Sequence, residues 1–297
     1  MTIKIDPFSI AKPQLHKFLL GSIAPRPIAF ASTIDSNGNP NLAPFSFFNA
    51  FGINPTTLIF SPSRRGRDNT TKHTFDNIKE VPEVVINVVN YDMVHQASLA
   101  STEYPKGVSE FVKAGFTPLP SETIKPFRVK ESPVQFECKV REVIETGSEG
   151  GAANLVICEV MMIHAHEDIL DENGLPDPDK IKLVGRCGGD FYVKAFGESL
   201  FEVEKPLVRL GIGIDSLPDK IKFSKILTGN DLGQLGNVEM MPSEIEIKSI
   251  QEHPVVKIIR DELAGDQLKL QQELQLLAKK WIDDGRAMDA FALLMVE

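Results

Sequence analysis

The chain is expected to be mainly β, an antiparallel barrel with peripheral helices and a helical C-terminal extension. Three observations predict this. Strand-like runs follow one another through residues 27–61 with only turns between them, and β-rich runs return at 83–89, 133–144 and 154–166. The helical patterns between them, at 73–79, 92–101 and 108–114, are too short and too few for the strand–helix alternation of a doubly wound sheet. From residue 243 the pattern turns helical and stays so to residue 297.

The first strand is read over residues 27–33, after which Asp35-Ser36-Asn37-Gly38-Asn39 doubles the chain back. Its Asn-Gly pair suits the positive φ angles of a tight hairpin turn. The second strand is read as one run from Asn41 to Phe51, with Ser46 and Asn49 set among phenylalanines, so that it packs and still presents hydrogen bonds. Gly52-Ile53-Asn54-Pro55 makes the next turn, and residues 56–61 form a third strand that Pro62 stops. The long runs at 133–144 and 154–166 are joined by a flexible hairpin, residues 147–153.

The third strand leads into Ser63-Arg64-Arg65-Gly66-Arg67-Asp68-Asn69-Thr70-Thr71-Lys72. Arginine forks match phosphate oxygens, a glycine lets backbone N–H groups approach, and Thr or Asn at a helix start leaves N–H donors facing an anion. A solvated basic loop with an ordinary N-cap at Asn69, Thr70 or Thr71 is the alternative. Its place directly after a three-stranded meander favours a site.

Composition narrows the function classes. The 297 residues are 42% hydrophobic and 25% charged, enough for a full core plus an extension. A net charge of −9 opposes broad binding to nucleic acid or anionic membrane, so the arginine cluster is a local exception. Cys138, Cys158 and Cys187 lack CxxC spacing, which indicates neither a disulfide framework nor a cysteine zinc site, and a reducing cytoplasm is the expected location. Residues 1–10 lack the apolar core of a signal peptide, and no run approaches a transmembrane span.

The domain reading is a barrel over 1–205, a glycine-rich connecting segment over 206–242, and helices over 243–297. Leu270, Leu274, Leu277 and Trp281 share a helix face expected to pack on the barrel, with a dimer or partner contact as the alternative. His164 and His166 share a strand face with Cys158, but no third ligand is firmly placed beside the two histidines, so no metal is expected. Arg186 and Tyr192 flank Gly188-Gly189, which implies either a close backbone approach to a ligand or a tight turn before a packed tyrosine.

Several segments, in order, resemble the flavin reductase-like family of FMN-binding split β-barrels, which includes flavoredoxin. They are Ala24-Pro25-Arg26-Pro27-Ile28-Ala29, Ala43-Pro44-Phe45-Ser46-Phe47-Phe48-Asn49-Ala50, Arg67-Asp68-Asn69-Thr70-Thr71 and Val85-Ile86-Asn87-Val88-Val89. Further on, Glu103-Tyr104-Pro105-Lys106-Gly107-Val108 and the run from Leu183 to Tyr192 fit the same family. The likeness covers about residues 10–205. It implies FMN as cofactor, its ring against residues 45–49 with Ser46, Phe47 and Asn49 in contact. The phosphate is then expected near Ser61, Arg64, Arg67, Asn69, Thr70 and Thr71, with Arg26 and Thr33 as second candidates. It also implies a homodimer with the flavin near the subunit interface, which gives Arg186 and Tyr192 a way to reach it.

One departure bears on activity. Shorter flavin reductases of the family carry Gly-Asp-His at the hairpin before their last long strand, whereas here Gly151 is followed by Ala152 and Ala153. The missing histidine weighs against direct oxidation of a nicotinamide and towards the longer flavoredoxin-like members; an NADH- or NADPH-dependent flavin reductase is nevertheless expected, with a flavoredoxin-like FMN electron carrier serving a redox-protein partner as the alternative. A binding module for another phosphate-bearing ligand is a third, more distant reading.

Overall fold

The structure is a computed structural model and describes residues 1–206 and 210–296. The chain divides into two compact units, Met1–Phe201 and Glu202–Glu297.

The N-terminal unit begins with α1 (Lys12–Ser22), β1 (Ala29–Ile34), β2 (Pro40–Phe45), β3 (Phe48–Ile53) and β4 (Thr56–Phe60). There follow α2 (His73–Glu80), β5 (Glu83–Val88), α3 (Val94–Leu99), α4 (Glu110–Ala114), and the short β6 (Pro118–Leu119) and β7 (Arg128–Val129). The long hairpin of β8 (Val134–Glu145) and β9 (Asn154–Ala165), then α5 (Pro178–Ile181), β10 (Val184–Arg186) and β11 (Tyr192–Lys194), complete it. Seven strands form one antiparallel sheet in the order β2-β1-β5-β8-β9-β4-β3.

That order places β2 and β3 at opposite edges, yet only Ser46 and Phe47 join them. Laid flat, six interstrand spacings would part the edges by roughly 29 Å. A two-residue link reaches only about 10 Å. The sheet must therefore curl until its edge strands approach one another at this link, leaving a seam at Ser46-Phe47 instead of the single second strand expected over 41–51.

Alternation on β1 shows why it is buried throughout. Ala29 and Ala31 join Leu58, Phe60, Val84, Ile86, Cys138 and Val156 inside the curled sheet, while Ile28 and Phe30 pack outside it with Leu42, Met93, Ala97 and Phe111. The β1–β2 turn differs from the expected two-residue type. Gly38 alone has a positive φ, +86°, and Asp35 Oδ1 accepts from the N–H groups of Asn37 and Asn39, so the side chain organises a longer loop.

The C-terminal unit holds α6 (Asp219–Lys222), α7 (Gly229–Gly236), α8 (Glu244–Gln251), α9 (Pro254–Glu262), α10 (Gln267–Asp283) and α11 (Ala287–Leu294). Thr228–Asp231 and Ser243–Glu246 form capping boxes that start α7 and α8. Residues 206–242 are not a bare connector in their described part. Leu217, Ile221, Leu227 and Leu235 share a core with Leu270, Leu274, Trp281 and Phe291, so the apolar face of α10 has a partner within this unit. With this all-helical unit counted, helix exceeds strand over the chain, and mainly β describes the N-terminal unit alone.

Candidate functional site

The seam is where the candidate residues gather. Beside it, Pro44, Phe45 and Ser46 face Ala97, Ser98 and Ser101, with Arg186 and Tyr192 of the β10–β11 hairpin closing a cleft of about 180 Å³. The Arg186 guanidinium lies 4.7 Å from the Tyr192 ring centroid. Both belong to the same chain's cleft as Ser46, so no second subunit is needed to bring them there.

Arg26 donates through Nε to Ser46 Oγ at 3.4 Å, but its remaining donors hold backbone. Nη1 bonds the carbonyls of Leu20, at 2.8 Å, and Ile23, and Nη2 that of Cys187 at 3.2 Å. Only 5% exposed, this side chain clamps the end of α1 to the hairpin, and a cation suits a helix C-terminus. Burial, then the neighbouring Arg186, lowers its pKa, although a guanidinium stays charged. Arg26 is thus committed to the fold and does not aim at a phosphate. Thr33 is still further removed, fully buried with Oγ1 accepting from Asn77 Nδ2 at 3.2 Å.

Of the two readings of the glycine pair, the tight turn is the one seen, before a tyrosine that is 39% exposed. Gly189, at φ +58°, turns the hairpin that pairs Arg186 with Tyr192, and a Cβ on Gly188 would lie 3.0 Å from Gly21 Cα. The close backbone approach is to the chain's own helix.

Across the seam, the Phe47 carbonyl accepts the Ser61 N–H at 2.9 Å, which brings the cleft next to the arginine loop. There Ser61 Oγ lies 3.1 Å from Ser63 Oγ and accepts the Asn154 N–H at 3.1 Å. Asn154 donates its Nδ2 to the Pro62 carbonyl and leaves Oδ1 buried without a partner.

The loop is heavily cross-linked. Arg65 and Lys72 bond Glu103 Oε1 at 2.8 and 3.0 Å, and Arg67 pairs with Glu103 Oε2 and with Asp68. Hydrogen bonds from Arg65 and then Lys72 pull the Glu103 pKa down to about 2. The Thr70 hydroxyl and N–H, with Arg67, pull Asp68 to about 2 as well. Thr71 Oγ1 donates to Asp76 at 2.7 Å. Arg64 differs. It donates to the side-chain and main-chain oxygens of Asn69 at 2.9 and 3.0 Å, and among the described residues no carboxylate pairs with it.

Four cations of this loop against Asp68 and Glu103 leave an excess of two positive charges. Asn69, at φ +58°, donates Nδ2 to the Ser148 carbonyl, and Arg64 exchanges backbone bonds with Gly151 and Ala152, so the 147–153 hairpin braces the loop. None of Asn69, Thr70 and Thr71 caps α2, whose N-cap is Lys72 without a side-chain bond. Asn49 stands apart on exposed β3, its Oδ1 accepting the Ala50 N–H at 2.8 Å.

The sequence reading therefore missed Glu103, Ser63 and Asn154. Glu103 was legible only as part of a family-like segment, because its partners lie more than thirty residues away. His164 bonds buried Glu137 at 2.8 Å, Cys158 sits in the barrel core, and no group of metal-ligating side chains occurs among the described residues. Among them, too, no helix is long and apolar enough to cross a membrane.

Comparison with known proteins agrees with this architecture. The family model for the flavin reductase like domain matches residues 20–181, inside the N-terminal unit. An uncharacterised protein of Aquifex aeolicus is 40% identical over 189 residues, 64% of this chain and 94% of its own. Nitrilotriacetate monooxygenase component B from Bacillus cereus superposes with a TM-score of 0.64 at 30% identity, covering 68% of this chain and 99% of that one. A split-barrel protein from Shewanella frigidimarina gives 0.56 at 26% identity over 67% and 95% of the two chains. The fold and the seam define a split-barrel protein of the flavin-binding type. The chain belongs to the flavin reductase-like family.

Proposed function

We propose that this protein is an FMN-binding oxidoreductase that takes reducing equivalents from NADH or NADPH, most simply as a flavin reductase. The observation that carries this reading is the adjacency, through Phe47, of a cleft of mixed lining, with Phe45, Val94 and Ala97 beside Ser46, Ser98 and Ser101, and a loop with excess positive charge. An elongated ligand with a ring at one end and a phosphate at the other fits such a pair of sites. Arg64 and Ser63 would hold the phosphate, with Arg67, Asn69, Thr70 and Thr71 shaping the loop around them. Ser46 and the seam backbone would orient the ring, and buried Asn154 Oδ1 is an acceptor in search of a donor.

Bound FMN supplies a centre that accepts hydride and passes electrons singly or in pairs. The protein's own share is to position, exclude water and set the charge around it. Edge strand β3, with Phe51 64% and Ile53 93% exposed, supports a homodimer, since exposed apolar edges invite pairing. A flavoredoxin-like carrier is favoured by one observation, that the 147–153 hairpin lacks the family's histidine and braces the loop instead.

The test is an anaerobic absorbance titration of the FMN-loaded protein with NADH, then NADPH. Bleaching within seconds is expected. Bands that persist until dithionite is added would transfer the assignment to the carrier, and no uptake of FMN would end the flavin reading.

A further inference from the structure

A second cavity adjoins the seam cleft, and its chemistry differs. At about 450 Å³ it is large enough for a small organic molecule. It shares Val94, Ser98, Arg186 and Tyr192 with the seam cleft, so whatever binds in it lies beside the ring site.

Its make-up follows from the hairpin. Arg186 pairs with Tyr192 and Val184 with Lys194 across β10 and β11, and residues two apart on a strand share a face, so all four point to the same side. The opposite wall is helical. His95 and Ser98 are three apart on α3 and thus neighbours on its surface.

Two permanent cations reach this space. Lys194 Nζ stands 4.7 Å from the Tyr91 ring centroid, and Arg186 is steadied over Tyr192, one of its donors going to the Phe191 carbonyl at 3.1 Å. Neither has a carboxylate within ion-pair distance among the described residues, unlike Arg65, Arg67 and Lys72 on Glu103. Asp190 is the one acidic side chain in the lining, which leaves a positive excess above apolar Val94 and Val184.

We infer that this cavity binds a small organic carboxylate with an apolar body of about ring size, its anion between Lys194 and Arg186. Its catalytic meaning, as substrate or electron acceptor beside the flavin, rests on the flavin reading, while the binding itself does not.

The full chain is titrated calorimetrically with benzoate, benzamide and acetate, with and without FMN. Benzoate is expected to bind with Kd of about 1 mM or tighter, and benzamide, which lacks the charge, and acetate, which lacks the body, about tenfold more weakly. Lys194→Met removes one exposed cation away from the loop, so it should raise the benzoate Kd about tenfold and leave FMN affinity unchanged. Equal affinity for benzoate and either control, no benzoate binding, or an unchanged Kd in Lys194→Met would overturn the site. Benzoate binding by these rules in a chain that takes up no FMN would uphold the site and sink the flavin reading alone.

Discussion

Among the arginines of residues 63–72, a side chain's value for binding depends on where its charge already goes. Arg67 is engaged by Asp68 and Glu103, whereas Arg64 meets only the neutral oxygens of Asn69. Arg64→Ala should therefore weaken FMN by about 1.5–3 kcal/mol, roughly ten- to a hundredfold, and Arg67→Ala by clearly less. Flavin-fluorescence quenching gives both constants, and the reverse order would move the phosphate towards Arg67. Glu137 makes the parallel case for stability. Burial alone would push its pKa up, but the Thr123 hydroxyl, the N–H groups of Glu122 and Thr123, and His164 outweigh that and hold it at about 2. A folded-state pKa below the unfolded value means stability that is complete above about pH 4.5 and is lost as pH falls towards 2. Urea midpoints from pH 7 down to 2.5 should fall across that window. Glu137→Gln should lower the pH 7 midpoint, by about 1.5–3 kcal/mol of stability, and flatten the acid limb. An unchanged slope in that variant would place the acid sensitivity elsewhere.

Elements were legible to the extent that their causes were local. The β-rich runs at 133–144 and 154–166 match β8 and β9 within a residue or two, although burial departs from a simple alternation on β8, where Gln135 and Glu137 are buried beside Val134 and Cys138. The seam was not legible. Phenylalanines at 45, 47, 48 and 51 look continuous, and only the pairing of β2 with β1 and of β3 with β4 separates them. The clamp around Arg26 was hidden for the same reason, since its acceptors are carbonyls on α1 and at Cys187. Gly185 lies at the centre of this clamp. A Cβ there would meet Pro25 Cβ at 2.6 Å and Val193 Cγ1 at 3.1 Å, beside the mutual backbone bonds of Arg26 and Arg186. Gly185→Ala should thus destabilise the protein by about 1–3 kcal/mol and loosen Arg186, so flavin affinity drops with the urea midpoint. Lost affinity at unchanged stability would show that Gly185 acts on the ligand directly.

At the scale of the molecule, composition signalled a core plus an extension but not where the second core begins. Glycines at 211, 213, 229, 233 and 236 made residues 206–242 read as a connector, yet a Cβ on Gly211 would sit 2.5 Å from the Gly236 carbonyl oxygen, so close backbone packing is one reason for them. Each unit accordingly has its own buried clusters, and the family match ends within the first. Such a division predicts autonomy. A chain ending at Phe201 carries the seam, the arginine loop and both cavities, so it should fold alone, bind FMN within about threefold of the full chain, and melt in one transition. Residues 202–297, expressed separately, should show a helical circular dichroism spectrum and their own melt, because Leu235, Leu274, Phe291 and Leu293 are buried and cluster with residues of that unit. If the shorter chain instead lost FMN while keeping its melting temperature, the helical unit would be acting on the flavin site itself. If it aggregated, the helices would be needed to cover barrel surface, and the boundary at Phe201 would mark a fold in the contacts without marking an independent domain.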